Sequence, residues 1–188
     1  LEAIAINLGF NPEGGSKNFS FVTNNTHSEL HNFMKVSRGI KRAKDGFFLR
    51  AESFYNLATY AEEIGIDFSE YGDKPLHQQS HGESFLNLIN NRFRGNGLYL
   101  LDEPESALSL QKQLSLMIII NDLVKDNSQF IIATHSPILL AMPNAQIISF
   151  DTDSPLRISY EDTRPYEIMS LFLTQKDLMI DSLFNKEE

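Results

Sequence analysis

The residues best suited to chemistry cluster in one octet, Leu98-Tyr99-Leu100-Leu101-Asp102-Glu103-Pro104-Glu105. Leu98–Leu101 is a continuous apolar run bounded by Gly97 and Asp102, which reads as a buried strand. In an open α/β sheet a buried parallel strand delivers its last residue to the ligand edge. An aspartate at that place can hold Mg²⁺ directly or through water, because hard cations take oxygen ligands. The next carboxylate, Glu103, can polarise a water for attack on a phosphate. Pro104 is expected to bias Glu103 away from helix and keep it extended over the site. An acidic strand-to-helix turn without catalytic duty is the alternative reading of the same residues.

Two further groups flank the octet. Ahead of it lies Gln79-Ser80-His81-Gly82-Glu83-Ser84, at the start of a helical face traced by Phe85, Leu88, Ile89 and Phe93. Ser80 and Glu83 have capping-box spacing, which is a sufficient structural reason for both. Capping does not explain Gly82 in the first turn, where glycine costs about 1 kcal/mol against alanine in a helix interior. A small residue there lets a phosphate approach the backbone N–H groups of the helix start, where the dipole favours an anion. After the octet comes Ala133-Thr134-His135-Ser136-Pro137, at the end of the next strand candidate. His135 can donate from its imidazole to a phosphoryl oxygen, although a lone histidine at a strand exit is also an ordinary surface residue.

These groups need elements to hold them. Apolar Leu1, Ile4, Ala5 and Leu8 trace one helical face, with Gly9 as its stop. No N-cap residue precedes Leu1, so the chain is expected to begin inside a helix whose start lies upstream. Residues 11–18 read as a Pro/Gly loop, Phe47–Leu49 as a short strand, Ser53–Ile64 as a helix and 66–80 as a loop. Leu108–Val124 reads as a helix and Gln129–Thr134 as a second buried strand. Gln146–Phe150 and Leu156–Tyr160 read as a third and a fourth, before a closing helix over about Tyr166–Phe184 that breaks near Thr174. Strands alternating with helices predict an α/β fold with a mainly parallel sheet covered on both faces. The whole of 1–188 reads as a single domain, expected to be the C-terminal part of a larger one, with a helical region over about 51–95 that contains Gln79–Glu83.

Composition narrows the class. With 41% hydrophobic and 22% charged residues the chain is globular in character. Sixteen Lys+Arg against 25 Asp+Glu give a net charge of −9, so general attraction to nucleic acid or an anionic membrane is not expected. The basic stretch around Lys35–Arg50 could meet nucleic acid or an acidic partner, and in so acidic a chain it reads rather as a solvated, charged loop. Without cysteine there is no disulfide, thiolate metal site or thiol nucleophile, which suits a reducing compartment. The longest apolar run, Leu114–Val124, is too short and too interrupted to span a bilayer, and LEAIAINLGF lacks the features of a signal peptide. The expected location is the cytoplasm.

Taken together, the motifs resemble the ATP-binding-cassette class of P-loop ATPases. Gln79–Glu83 is similar to the signature motif, Leu98–Glu103 to the Walker B strand, Ser106-Ala107-Leu108-Ser109 to the D-loop and His135 to the switch histidine. The wording SHGES, LYLLDEPESALS and FIIATHSPILLA, with GFFLRAESF and LEAIAINLGFNPEGGSKNF, is most similar to stand-alone bacterial predicted ATPases, an AAA-like subgroup. The resemblance covers nearly the whole chain.

It implies a P-loop NTPase-like core and a head-to-tail homodimer that sandwiches two ATP molecules. Asp102 would position Mg²⁺, Glu103 would be the general base and His135 would hold the γ-phosphate. Ser80, Gly82 and Glu83 would face the nucleotide bound to the partner protomer. Glu52 falls near the family's Q-loop glutamine and equally reads as a surface acid.

The sequence also departs from the family. No G-x-x-x-x-G-K-[ST] occurs in the 188 residues, and Gly15 stands where the lysine would follow the Gly9/Gly14 spacing. The first strand and phosphate loop are therefore expected to precede Leu1, and the chain as it stands is expected to bind ATP poorly. His81, Glu83 and Ser109 differ from the residues usual in cassette transporters, which argues against a transporter. The alternatives are a non-catalytic module switched by nucleotide and a nucleic-acid-repair ATPase. The second needs long coiled-coil arms, and no heptad series lasts three repeats here.

Overall fold

The computed structural model describes residues 1–17, 29–52, 54 and 80–184. The described residues fall into two compact units, Leu1–Thr134 and His135–Glu188. In the first unit the order is α1 (Glu2–Leu8), α2 (Leu30–Phe33), β1 (Asp45–Arg50), α3 (His81–Arg92), β2 (Gly97–Asp102), a 3-10 turn (Pro104–Ala107), α4 (Leu110–Lys125) and β3 (Gln129–Ala133). Apart from Phe54 and Ser80, the helix expected over Ser53–Ile64 and the loop expected over 66–80 lie outside the described residues. The rest of the helical region expected over 51–95 is described only from Ser80 onward, apart from Ala51, Glu52 and Phe54.

The sheet runs β1-β2-β3 and is parallel throughout. This is the α/β fold with a parallel sheet that the strand pattern predicted, consistent with the P-loop NTPase-like core that the resemblance implies. Parallel register aligns Phe48, Leu100 and Ile131 across the three strands, and Phe47, Tyr99 and Phe130 beside them. Because successive strand residues alternate between faces, these are two opposite rows. The first row packs with Ala5, Leu8 and Phe10, so α1 and the turn after it cover that face. α1 ends where expected, at Gly9, whose φ of 85° is open to glycine at little cost. The second row is an aromatic layer in which Phe93 stacks on Tyr99 at 4.0 Å and Phe130 lies 5.2 Å from Tyr99.

The Tyr99 hydroxyl anchors the amino end of the sheet. It accepts the Arg94 N–H, and its own proton lies within reach of the Arg94 carbonyl (2.7 Å) and Asp45 Oδ2 (2.9 Å). Asp45 is gripped through both oxygens by Arg92 Nη1, at 2.9 and 2.8 Å. Burial alone would raise the Asp45 carboxyl, but the hydrogen bonds from Arg92 and Tyr99 hold it below its ordinary value. Burial, reinforced by the Asp45 charge, pushes the Tyr99 phenol up to about 12. The close fit continues at Gly97, where any Cβ would strike the Tyr99 ring at 2.4 Å.

The second unit differs from expectation. Gln146–Phe150 and Leu156–Tyr160 were predicted as buried strands of the parallel sheet. They form instead a short antiparallel pair, β4 (Ile147–Ser149) with β5 (Leu156–Ile158), and Ile148 and Leu156 are exposed. The segment 150–155 is too short for the crossover that parallel pairing requires and can only reverse the chain. The unit also holds α5 (Pro137–Leu140), a 3-10 turn (Tyr160–Asp162), α6 (Arg164–Thr174) and α7 (Lys176–Phe184). The helix break expected near Thr174 falls at Gln175. Among the described residues no helix is long and apolar enough to cross a membrane.

Tyr99→Phe leaves the Arg94 N–H without its phenol acceptor and removes one of the donors to Asp45, which keeps Arg92. Urea unfolding should show a loss of about 1–3 kcal/mol. The pH profile carries a second signature. The unfolded chain ionises Tyr99 near its ordinary value of 10.0 and the folded chain only near 12, so the network's contribution is full below pH 10 and is lost as pH rises toward 12. Tyr99→Phe should lack that alkaline step.

Candidate functional site

The carboxyl ends of the three strands lie side by side, with Arg50 opposite Asp102 and Asp102 opposite Ala133. Asp102 is the last residue of β2, one position later than the apolar run alone marks. By alternation Asp102 and Arg50 share the face that carries Phe48 and Leu100, which is the α1 face. There Arg50 Nε stands 3.2 Å from Asp102 Oδ2. The same guanidinium reaches Glu2 of α1 and the Pro12 carbonyl, each at 3.3 Å from Nη1, and Glu52 at 3.9 Å. Arg50 Nε is shielded from solvent yet makes no directed hydrogen bond, so its contact with Asp102 is an ion pair by distance alone.

Glu103 follows at once and is not extended as Pro104 led us to expect. Its φ and ψ are 46° and 51°, in the left-handed region. The residue before a proline is steered away from the right-handed helical region, and the left-handed well remains open. Two contacts select it. The Glu103 N–H still bonds the Ala133 carbonyl at 2.9 Å, continuing the sheet ladder, while its carbonyl accepts from the Ser106 N–H and hydroxyl at 3.0 and 2.9 Å. The chain therefore leaves the sheet in one residue, and the Glu103 side chain is exposed at the strand tip. Among the described residues the other non-glycines with positive φ are Asn96, Asn127 and Asn144. Asparagine tolerates this region, whereas glutamate bears a cost of about 1–3 kcal/mol.

A second pair ties this turn to the end of β3. The Thr134 hydroxyl donates to Glu105 Oε2 at 2.7 Å, linking the loop after β2 to the loop after β3. Two residues beyond Ala133 the chain reaches His135, which is exposed and opens the second unit. The next residue, Ser136, is buried and caps α5 by accepting from the Ile138 and Leu139 N–H groups.

Ser80, Gly82 and Glu83 are gathered at the start of α3. Glu83 Oε2 accepts from both the Ser80 N–H (2.9 Å) and the Ser80 hydroxyl (2.7 Å). The ammonium of Lys112, on α4, donates to Ser80 Oγ at 3.0 Å. The absent side chain of Gly82 has a cause in packing: a Cβ would lie 2.9 Å from the Ala107 carbonyl and 2.8 Å from Lys112 Cδ. The motif thus seats against the 3-10 turn that follows Glu103. Arg50, Lys112, Glu105 and Thr134 were not singled out from the sequence. Arg50 had one available signal, since it ends FFL as Asp102 ends LYLL, and parallel register makes those two ends neighbours.

The donor set suits Mg²⁺ in one specific way. Among the described residues no group of three or more His, Cys, Asp or Glu could hold a metal by itself. Mg²⁺ in phosphate sites takes one or two carboxylates and completes its shell with water and phosphate oxygens. Asp102, mostly covered at the end of β2, and the exposed Glu103 after it fit that pattern, and among the described residues no dedicated protein cage is built.

Replacing Glu103 by glycine should relieve the left-handed backbone, and replacing it by alanine should not. In chemical denaturation Glu103→Gly should be more stable than Glu103→Ala by about 1 kcal/mol. Equal stabilities would show that the backbone at this position is unstrained.

No curated protein and no solved structure matches the chain. A family model described as an AAA domain, putative AbiEii toxin, type IV TA system matches residues 27–141, more than half of the sequence. That span contains the SHGES motif, the β2 tip and His135. The chain belongs to this family of AAA domains and carries its P-loop ATPase type of core.

Proposed function

We propose that residues 1–188 are the C-terminal part of an ATP-binding-cassette-type ATPase domain, and that the whole domain hydrolyses MgATP in a head-to-tail homodimer, in the cytoplasm where ATP is supplied. The observation that carries this reading is the tip of β2. A metal-binding type of carboxylate ends the strand, and the next carboxylate is held exposed by a left-handed backbone that glutamate adopts only at a cost. Strain of this kind is retained where it places a side chain for use.

In this reading Asp102 holds Mg²⁺, which supplies charge neutralisation at the phosphates. Glu103 accepts a proton from the attacking water at its carboxylate. His135 donates to a γ-phosphate oxygen, and Ser80, Gly82 and Glu83 contact the nucleotide on the partner protomer. These are positioning and electrostatic roles, as phosphoryl transfer requires. The 188 residues hold no G-x-x-x-x-G-K-[ST] loop, so on their own they should bind ATP poorly and hydrolyse little or none.

The test is steady-state MgATP hydrolysis by the whole gene product, compared with its Glu103→Gln variant. The variant should lose about 10²-fold or more in kcat, the scale of a missing general base, while still binding ATP. Nucleotide-dependent dimers with a turnover indifferent to Glu103 would favour a non-catalytic, nucleotide-switched module instead.

A further inference from the structure

We propose that Arg50 is a positioning residue that makes the metal site at Asp102 conditional on nucleotide. Its guanidinium occupies the place of the divalent cation until a triphosphate brings its own negative charge. The inference rests on the ATPase reading and adds to it a reason for an arginine at the end of β1.

Three observations support it. Register and alternation force Arg50 and Asp102 onto the same face at the same end of adjacent strands, so the pair is built into the sheet. Arg50 Nε stands 3.2 Å from Asp102 Oδ2, and a guanidinium cannot give up its charge in a protein. A metal ion approaching Asp102 alone therefore meets a fixed positive charge 3.2 Å from one carboxylate oxygen, a charge that Glu2 at 3.3 Å and Glu52 at 3.9 Å share. Finally, the pair can be released. It lacks a directed hydrogen bond, and Arg50 keeps Glu2 and the Pro12 carbonyl at 3.3 Å as other partners. When Asp102 turns to a metal, the arginine is not left as an unpaired charge, the circumstance that makes a broken ion pair costly.

An arginine that only staples α1, the 11–15 loop and β2 together would affect stability without affecting metal binding selectively. The discriminating experiment uses the full chain without nucleotide and Mn²⁺ as the probe, read by electron paramagnetic resonance. Arg50→Gln should bind Mn²⁺ at least about fivefold more tightly than wild type, the scale of removing one like charge near a surface site. Arg50→Lys, which keeps the charge, should stay within about twofold. Placing Asp102→Asn beside Arg50→Gln should abolish the gain.

A wild-type measurement covers the case in which Arg50→Gln does not fold. The Arg50 Nε–H resonance of the whole gene product should stay in place with millimolar Mg²⁺ alone and move with Mg²⁺ plus ATP. The proposal is overturned if Arg50→Gln binds Mn²⁺ no more tightly, if the gain survives Asp102→Asn, if Mg²⁺ alone moves the resonance, or if neither addition does. Asp102→Asn in the wild-type background, measured with ATP present, separates the two ideas. If it leaves Mn²⁺ binding in the presence of ATP unchanged, the metal site itself is wrong; if it weakens that binding while Arg50→Gln changes nothing without nucleotide, only the role of Arg50 fails.

Discussion

The parallel register of β1, β2 and β3 is the constraint on which the other features depend. Once Phe48, Leu100 and Ile131 are aligned under α1, strand alternation leaves no freedom at the carboxyl end: Arg50 and Asp102 must emerge side by side on that face. A slip of β2 by one residue would send Tyr99 to the α1 face and turn Asp102 away from Arg50. Packing at the sheet's middle thus determines electrostatics at its edge. The amino end is secured separately by the Tyr99, Asp45 and Arg92 network, so structural and chemical demands occupy opposite ends of the same strands.

The carboxyl end concentrates features that stability alone does not select. Glu103 adopts a left-handed backbone, Arg50 Nε is buried without a directed hydrogen bond, and the carboxyl of Asp102 faces that guanidinium at a mostly covered position. Each is partly offset nearby: Ser106 and the Ala133 carbonyl hold Glu103, while Glu2 and the Pro12 carbonyl share Arg50. The Thr134 to Glu105 hydrogen bond joins the loops after β2 and β3, so a displacement of one is felt by the other. Removing side-chain bulk at Gly82 lets the start of α3 reach the Ala107 carbonyl in the same turn.

Much of this was legible in local sequence, for identifiable reasons. The run Leu98–Leu101 is apolar on both faces because both faces of β2 are covered, and Gly9 and the Ser80/Glu83 pair mark helix ends through chemistry contained in a few residues. What escaped depends on distant residues. Arg50 meets Asp102 only through the register of a strand far along the chain, and Lys112 meets Ser80 only after α4 packs on α3. The conformation of Glu103 was misread because a following proline excludes the right-handed helix without choosing between extended and left-handed backbone. The strands of the second unit were misassigned because short apolar runs look alike; the brief 150–155 connection carried the information that they reverse.

The central claim is that the tip of β2 is where metal and triphosphate meet. The most direct test is a crystal of the whole gene product grown with Mn²⁺ and a non-hydrolysable ATP analogue, with the metal located by its anomalous scattering. The account predicts one peak within coordination distance of the Asp102 carboxylate and of phosphate oxygens, with the Glu103 carboxylate facing the terminal phosphate. A metal and nucleotide bound away from Asp102, with the Arg50–Asp102 pair undisturbed, would contradict it.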